Sequence, residues 1–188
     1  MLEQANSFYV CAKMCGNKMK KLEGRIDIYA TPMIVNLSFA CEVYIKTLLD
    51  YLENGSKKSH KLNELLDALP DEKKSRILKE VEEKHGALAD AFGIPVIDTV
   101  ADAFAKWRYS YEVSRVSCDI GYLFALTEAV RNMCCETIYG LSWEKYCKTA
   151  RINRNLLCFP LKNLVISGVS AYQILKPHVL SLVFSLTG

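Results

Sequence analysis

Apolar residues recur at three- and four-residue steps along most of this chain, the period of helices that bury one face. The pattern predicts a first helix over residues 3–20. There Ala5, Phe8, Tyr9, Ala12 and Cys15 form a stripe, and Lys18, Lys20 and Lys21 crowd the end where a helix dipole favours cations. Thr31-Pro32 opens a second helix, since proline is tolerated in a first turn whose N–H has no helical partner. This helix is the most regular: Ile34, Leu37, Cys41, Tyr44, Ile45, Leu48, Leu49 and Leu52 keep the period, with Asn36, Glu42, Lys46 and Asp50 between them. Read as an exposed pair four residues apart, Glu42 and Lys46 add only about 0.2–0.5 kcal/mol.

A polar turn around Asn54-Gly55-Ser56 leads to a short stripe of Leu62, Leu65, Leu66 and Leu69, stopped by Pro70. Asp71 and Glu72 start another helix that carries Ile77, Leu78 and Val81 as far as Gly86. Val96, Val100, Phe104, Trp107 and Tyr111 trace one face of a single further helix. A central helix follows from about Cys118 to Ile138, with charges confined to Asp119, Glu128, Arg131 and Glu136. Before residue 150 there is no useful alternating run of β-branched residues, and no internal repeat. The expectation is an all-α fold, with the main helical part over residues 1–140 and an additional C-terminal helical segment over 141–188.

That C-terminal segment is basic and then apolar. Lys145, Lys148, Arg151 and Arg154 fall every three residues and define a basic helical edge, or simply a solvated face. Beyond Phe159-Pro160 the chain is apolar, but Lys176-Pro177-His178 divides it into pieces shorter than the roughly 20 residues that span a bilayer. The segment is therefore expected to pack on the bundle or on a protein partner through residues 155–188, and a membrane partner is disfavoured.

Composition changes this picture little. With 188 residues, 51% of them hydrophobic and 24% charged, the chain suits one core. A formal charge of +3 does not demand a polyanionic partner. The eight cysteines include no CxxC pair and no zinc-like Cys/His quartet, and Glu3, Gln4, Asn6 and Ser7 do not read as an export signal. Buried free thiols in a reducing, cytoplasmic setting are the expectation, with no metal and no cofactor. A P-loop, a dinucleotide fingerprint, HExxH and GxSxG are all absent.

Three segments carry a resemblance: "NLSFACEVYIKTLLDYL", then "SHKLNELLDALP", then "ADAFAKWRYSYE". Ala40, Glu42, Ile45 and Lys46, followed by His60, Leu62 and Leu65, and finally Trp107, Arg108 and Tyr109, resemble the landmarks of the HEPN family. The resemblance covers residues 3–140 in pattern. It implies an up-and-down bundle of four to five main helices, homodimerisation, and association with RNA cleavage, nucleotide binding, toxin–antitoxin systems or antiviral defence in prokaryotes.

Active HEPN ribonucleases are metal-independent endoribonucleases in which an Arg precedes a His by four to six intervening residues. Histidine moves a proton as the ribose 2′-OH attacks, and arginine stabilises charge on the phosphate. Here the positions before His60, His85 and His178 hold no Arg, and those after Arg108 are Val113, Ser114 and Arg115. The candidate catalytic groups are thus Arg108 and His60, should they meet across the bundle. His60 otherwise closes a turn or caps the helix after it. Arg108, Tyr109, Tyr111, Lys145, Lys148, Arg151 and Arg154 are the candidates for RNA or nucleotide binding. Arg108 could instead pair with Glu112 while Trp107 and Tyr111 pack inward.

Two functions follow. One is a HEPN-like RNA- or nucleotide-associated module, catalytically degenerate or using an atypical site. The alternative is a non-enzymatic interaction protein that recruits a partner or a membrane surface through its C-terminal segment. Ranked below both is the toxin-like half of a pair, silenced by a nucleotidyltransferase at Tyr109 or Tyr111.

Overall fold

A computed structural model describes residues 1–20, 27–53, 55, 58–86, 95–110 and 117–149. Every regular element among them is helical, as the periodicity predicts: α1 (Leu2–Lys18), α2 (Ala30–Tyr51), α3 (Leu62–Leu66), α4 (Asp71–His85), α5 (Val96–Val100), α6 (Ala103–Arg108), α7 (Ile120–Tyr139) and α8 (Trp143–Thr149).

α2 is the spine, with α1, α3, α6 and α7 all packed on it. Met33, Ile34, Leu37, Ile45, Leu48 and Leu49 are wholly buried along it. Each such side chain contributes about 1.5–3 kcal/mol relative to exposure, so packing and not surface pairing holds this helix in place. By length and composition α2 could cross a membrane, yet 67% of its apolar window is buried inside the protein, as a core helix requires.

Specific contacts fix the neighbours. Tyr44 on α2 donates its hydroxyl to Asn6 Oδ1 at 2.6 Å, while Phe39 meets Phe8 edge-on at 4.6 Å, so α1 and α2 run antiparallel. The Cys134 thiol of α7 donates to the Tyr44 carbonyl at 3.2 Å. Across the other side of α7, Arg76 reaches Glu136, Glu80 reaches Asn132 and Lys84 reaches Glu128, an antiparallel register with α4.

The helix ends follow from local chemistry. Asp119 accepts from Tyr122 N–H at 2.8 Å and caps α7. Gly86 and Gly140 end α4 and α7 at φ +85° and +66°, a left-handed turn that costs glycine little.

One sequence expectation needs correction. Residues 96–111 do not form one helix: α5 and α6 are separate, with a break at Ala101–Asp102, and Tyr111 lies outside the described residues. The Ala101 carbonyl accepts Leu62 N–H at 3.0 Å. This long-range bond binds the entry of α3 to the break and brings the two segments side by side.

α8 packs on α7 through Cys135, Trp143 and Cys147. Of the basic edge, Lys145 and Lys148 are exposed on α8; Arg151 and Arg154, and the whole apolar stretch beyond them, lie outside the described residues.

The thiols largely follow expectation. Cys41, Cys118, Cys134, Cys135 and Cys147 are buried, whereas Cys11 is exposed and Cys15 partly so. Burial pushes Cys41, Cys118 and Cys135 up to about 12, which keeps them protonated and inert at neutral pH.

Candidate functional site

Glu42 sits on α2 at 2% exposure, with the approach to α3 folded over it. Its Oε1 accepts from Lys46 Nζ at 2.8 Å and meets His60 Nδ1 at 2.8 Å. Two sequence expectations change here. Glu42 is not a solvated partner of Lys46, because the segment carrying His60 covers it. His60 does not cap α3 either: Ser59 Oγ accepts Lys61 N–H at 3.1 Å and donates to Glu64 at 2.7 Å, which turns the chain and releases the imidazole toward Glu42. The His60 side chain remains 66% exposed.

A column of rings continues from the core to the same surface. Phe8 meets Phe39, Phe39 stacks on Phe104 at 4.9 Å, and the His60 ring lies 6.4 Å from Phe104. The Arg108 guanidinium stands 5.5 Å from the Phe104 centroid and 4.8 Å from that of Tyr109, and its Nη2 donates to the Tyr109 hydroxyl. His60 and Arg108, far apart in sequence, therefore share one aromatic neighbour and lie no farther apart than their two distances to it combined. Tyr109 is 40% exposed beside them.

His60 and Arg108 are thus both neighbours of Phe104, and Tyr109 is a neighbour of Arg108. Lys145 and Lys148 stand on a different element, α8. Tyr111, Arg151, Arg154 and Glu112 lie outside the described residues, so the Arg108–Glu112 pairing falls there too.

Sequence reasoning missed a second polar cluster. Arg131 on α7 is 6% exposed, with its guanidinium 4.3 Å from the Tyr9 ring centre and 4.2 Å from that of Trp143. Its Nε and Nη1 are buried without a hydrogen-bond partner. Beside it Glu128 accepts the Tyr9 hydroxyl, with Lys84 at 3.7 Å and Lys13 at 3.8 Å. Burial alone raises the Glu128 pKa, but Tyr9, Arg131, Lys13 and Lys84 together hold it below the ordinary value. Burial likewise pushes the Tyr9 hydroxyl up, so it stays a proton donor to Glu128. The signal in the sequence was an Arg and a Glu three apart inside a long apolar helix, which reads equally well as a solvated face. Glu136 lies five positions beyond Arg131 on the same helix. Glu136 is engaged by Arg76 at 2.6 Å.

Among the described residues no three His, Cys, Asp or Glu side chains converge as a metal site. In comparisons with protein-family models, curated proteins and solved structures, nothing matches the chain.

Proposed function

We propose that the chain is an RNA- or nucleotide-binding helical module, HEPN-like in its landmarks, of the kind that serves prokaryotic defence or toxin–antitoxin systems. Its binding face is the surface formed by His60, Phe104, Arg108 and Tyr109. The observation that supports this reading is that His60 and Arg108, distant in sequence, both neighbour the Phe104 ring, at 6.4 and 5.5 Å from its centre.

Each group has a task that its surroundings suit. Arg108 is held by two rings and a hydroxyl, with no ion pair among the described residues, so its charge is available to a phosphate. Half-exposed Tyr109 offers a face on which a base can stack, an interaction worth about 1–3 kcal/mol per base and tolerant of sequence. Glu42 holds His60 Nδ1 and so fixes the ring, leaving Nε2 for the ligand. Cleavage asks more: the 2′-hydroxyl attacks the adjacent phosphorus and yields its proton to His60 while the 5′-oxygen departs, so both groups must reach one phosphate.

The test is fluorescence anisotropy of a labelled single-stranded RNA with the full chain, alongside gel analysis of the same RNA in the presence of a chelator. Arg108→Ala and Tyr109→Ala should each weaken binding about 5- to 100-fold, as loss of a phosphate contact or a stacked base does. Cleavage that His60→Ala abolishes while binding persists would assign catalysis to the pair. Binding that is unaltered by both Arg108→Ala and Tyr109→Ala, or absent altogether, overturns the proposal.

A further inference from the structure

A polar pocket of about 320 Å³ opens where α4, α7 and α8 meet, on the side of the molecule that holds Arg131. That volume lies at the small end of ligand pockets, which run to about 300–1,000 Å³. Its wall is braced. Lys84 is tied to Glu80 at 2.8 Å and Glu128 at 3.7 Å, and Asn132 accepts Trp143 N–H at 3.1 Å through its side-chain oxygen.

Arg131 is the exception in that wall. It lines the pocket, yet no carboxylate lies within ion-pairing distance of it among the described residues, and Nε and Nη1 have no acceptor. Burial penalises that charge, and Glu128 nearby offsets part of the penalty without forming a close ion pair. Tyr9 and Trp143 offset part of it, since a desolvated cation over a ring gains only about 2 kcal/mol. Arg131 nevertheless lines the pocket, so its guanidinium is the cation nearest a bound anion there. Planar guanidinium N–H donors match a carboxylate better than a point charge does.

The remaining charge narrows the ligand further. Glu80, Glu128 and Glu144 also line the pocket, and Glu144 is exposed. A phosphate dianion would gain Arg131 but face these carboxylates at short range. A molecule with a carboxylate at one end and an ammonium at the other satisfies both signs. We infer that this pocket binds a free amino acid, its carboxylate on Arg131 and its ammonium toward Glu144, at a site separate from the His60–Arg108 surface.

The test is isothermal titration calorimetry of the full chain against each free amino acid, against the carboxamide of any that binds, and against inorganic phosphate. At least one amino acid should bind saturably, and its carboxamide, which keeps the ammonium but lacks the carboxylate, should not. Glu144→Gln, a surface change that leaves the core intact, should weaken binding about 10- to 100-fold, the span expected for a hydrogen bond to a charged group. Arg131→Lys should abolish it, and Arg108→Ala should leave it unchanged, which keeps this site distinct from the RNA-binding proposal. Should Arg131→Lys unfold the protein, the carboxamide and Glu144→Gln decide alone. The inference is overturned if no amino acid binds up to about 10 mM, weaker than any useful recognition. It is equally overturned if Glu144→Gln leaves the affinity unchanged, or if phosphate binds and Glu144→Gln tightens it.

Discussion

Replacing Glu42 by glutamine tests the centre of the proposed site while preserving the shape of the side chain. Glu42 is 2% exposed, and its Oε1 takes contacts from Lys46 and His60 at 2.8 Å each. Breaking a fully buried ion pair costs about 3–5 kcal/mol, because the orphaned partner stays dry. Here the partners are 24% and 66% exposed, so water recovers much of what each loses. Glutamine keeps an oxygen that can accept one of the two bonds, but it places an amide N–H where the carboxylate Oε2 is already buried without a partner. The net destabilisation should be about 1–2 kcal/mol. For a domain of this size that is a fall in Tm of about 2–8 °C. Urea unfolding followed by far-UV circular dichroism measures it, with an unchanged m-value as evidence that the fold persists. His60→Ala alone should cost less than about 1 kcal/mol, since its ring is mostly in water. The double mutant should be less destabilised than the sum of the single mutants by about 0.5–1 kcal/mol. Additivity within about 0.3 kcal/mol would refute the dyad, and with it the claim that Glu42 orients His60.

Three further outcomes follow from the structure. Asp119→Ala removes the cap on Tyr122 N–H and a 3.3 Å contact with His85, and should lower stability by about 0.5–2 kcal/mol in the same urea assay. Glu128 has a folded-state pKa held below its ordinary value of 4.5, so its stabilisation is full above that value and is lost as pH falls through the folded pKa. Acid titration followed by circular dichroism should show a shallower loss of stability in Glu128→Gln than in the unsubstituted chain. In a Cys158→Ser background, native labelling with a thiol reagent should modify exposed Cys11 first and spare buried Cys41, Cys118 and Cys134 until denaturant is added. Early labelling of Cys134 would contradict the packing of α7 on α2.

What the sequence revealed and what it hid divides along a physical line. α2, α4 and α7 were legible because each buries a continuous stripe, so periodicity reports packing directly. The break between α5 and α6 was hidden because it depends on a bond from Leu62 N–H to the Ala101 carbonyl, and no local pattern announces a bond across that distance. Glu42 was read as solvated because a charge between apolar positions usually is; its burial depends on a segment that returns from beyond the end of the helix. His60 and Arg108 were each legible as candidates, but that both neighbour Phe104, itself stacked on Phe39, shows only in the fold. Arg131 was least legible, since its environment comes from α1, α7 and α8 at once.

The two arginines show why burial, and not residue type, decides what a cationic site can do. Arg108 stacks on rings at the surface, where water screens its charge, so holding it ready for a ligand costs little and its attraction for a phosphate fades as salt is added. It suits a long, charged strand that approaches from solution and makes many weak contacts. Arg131 lies against Tyr9 and Trp143, away from water, with Glu128 nearby but not in a close ion pair. Its desolvation penalty was met when the chain folded, so a matching carboxylate gains interaction at low dielectric without stripping that guanidinium anew. Such a site suits a small ligand recognised by shape and charge, with an affinity much less sensitive to salt. Both proposals therefore rest on one feature of the helical framework: α6 leaves its arginine at the edge while α7 carries its own into the core.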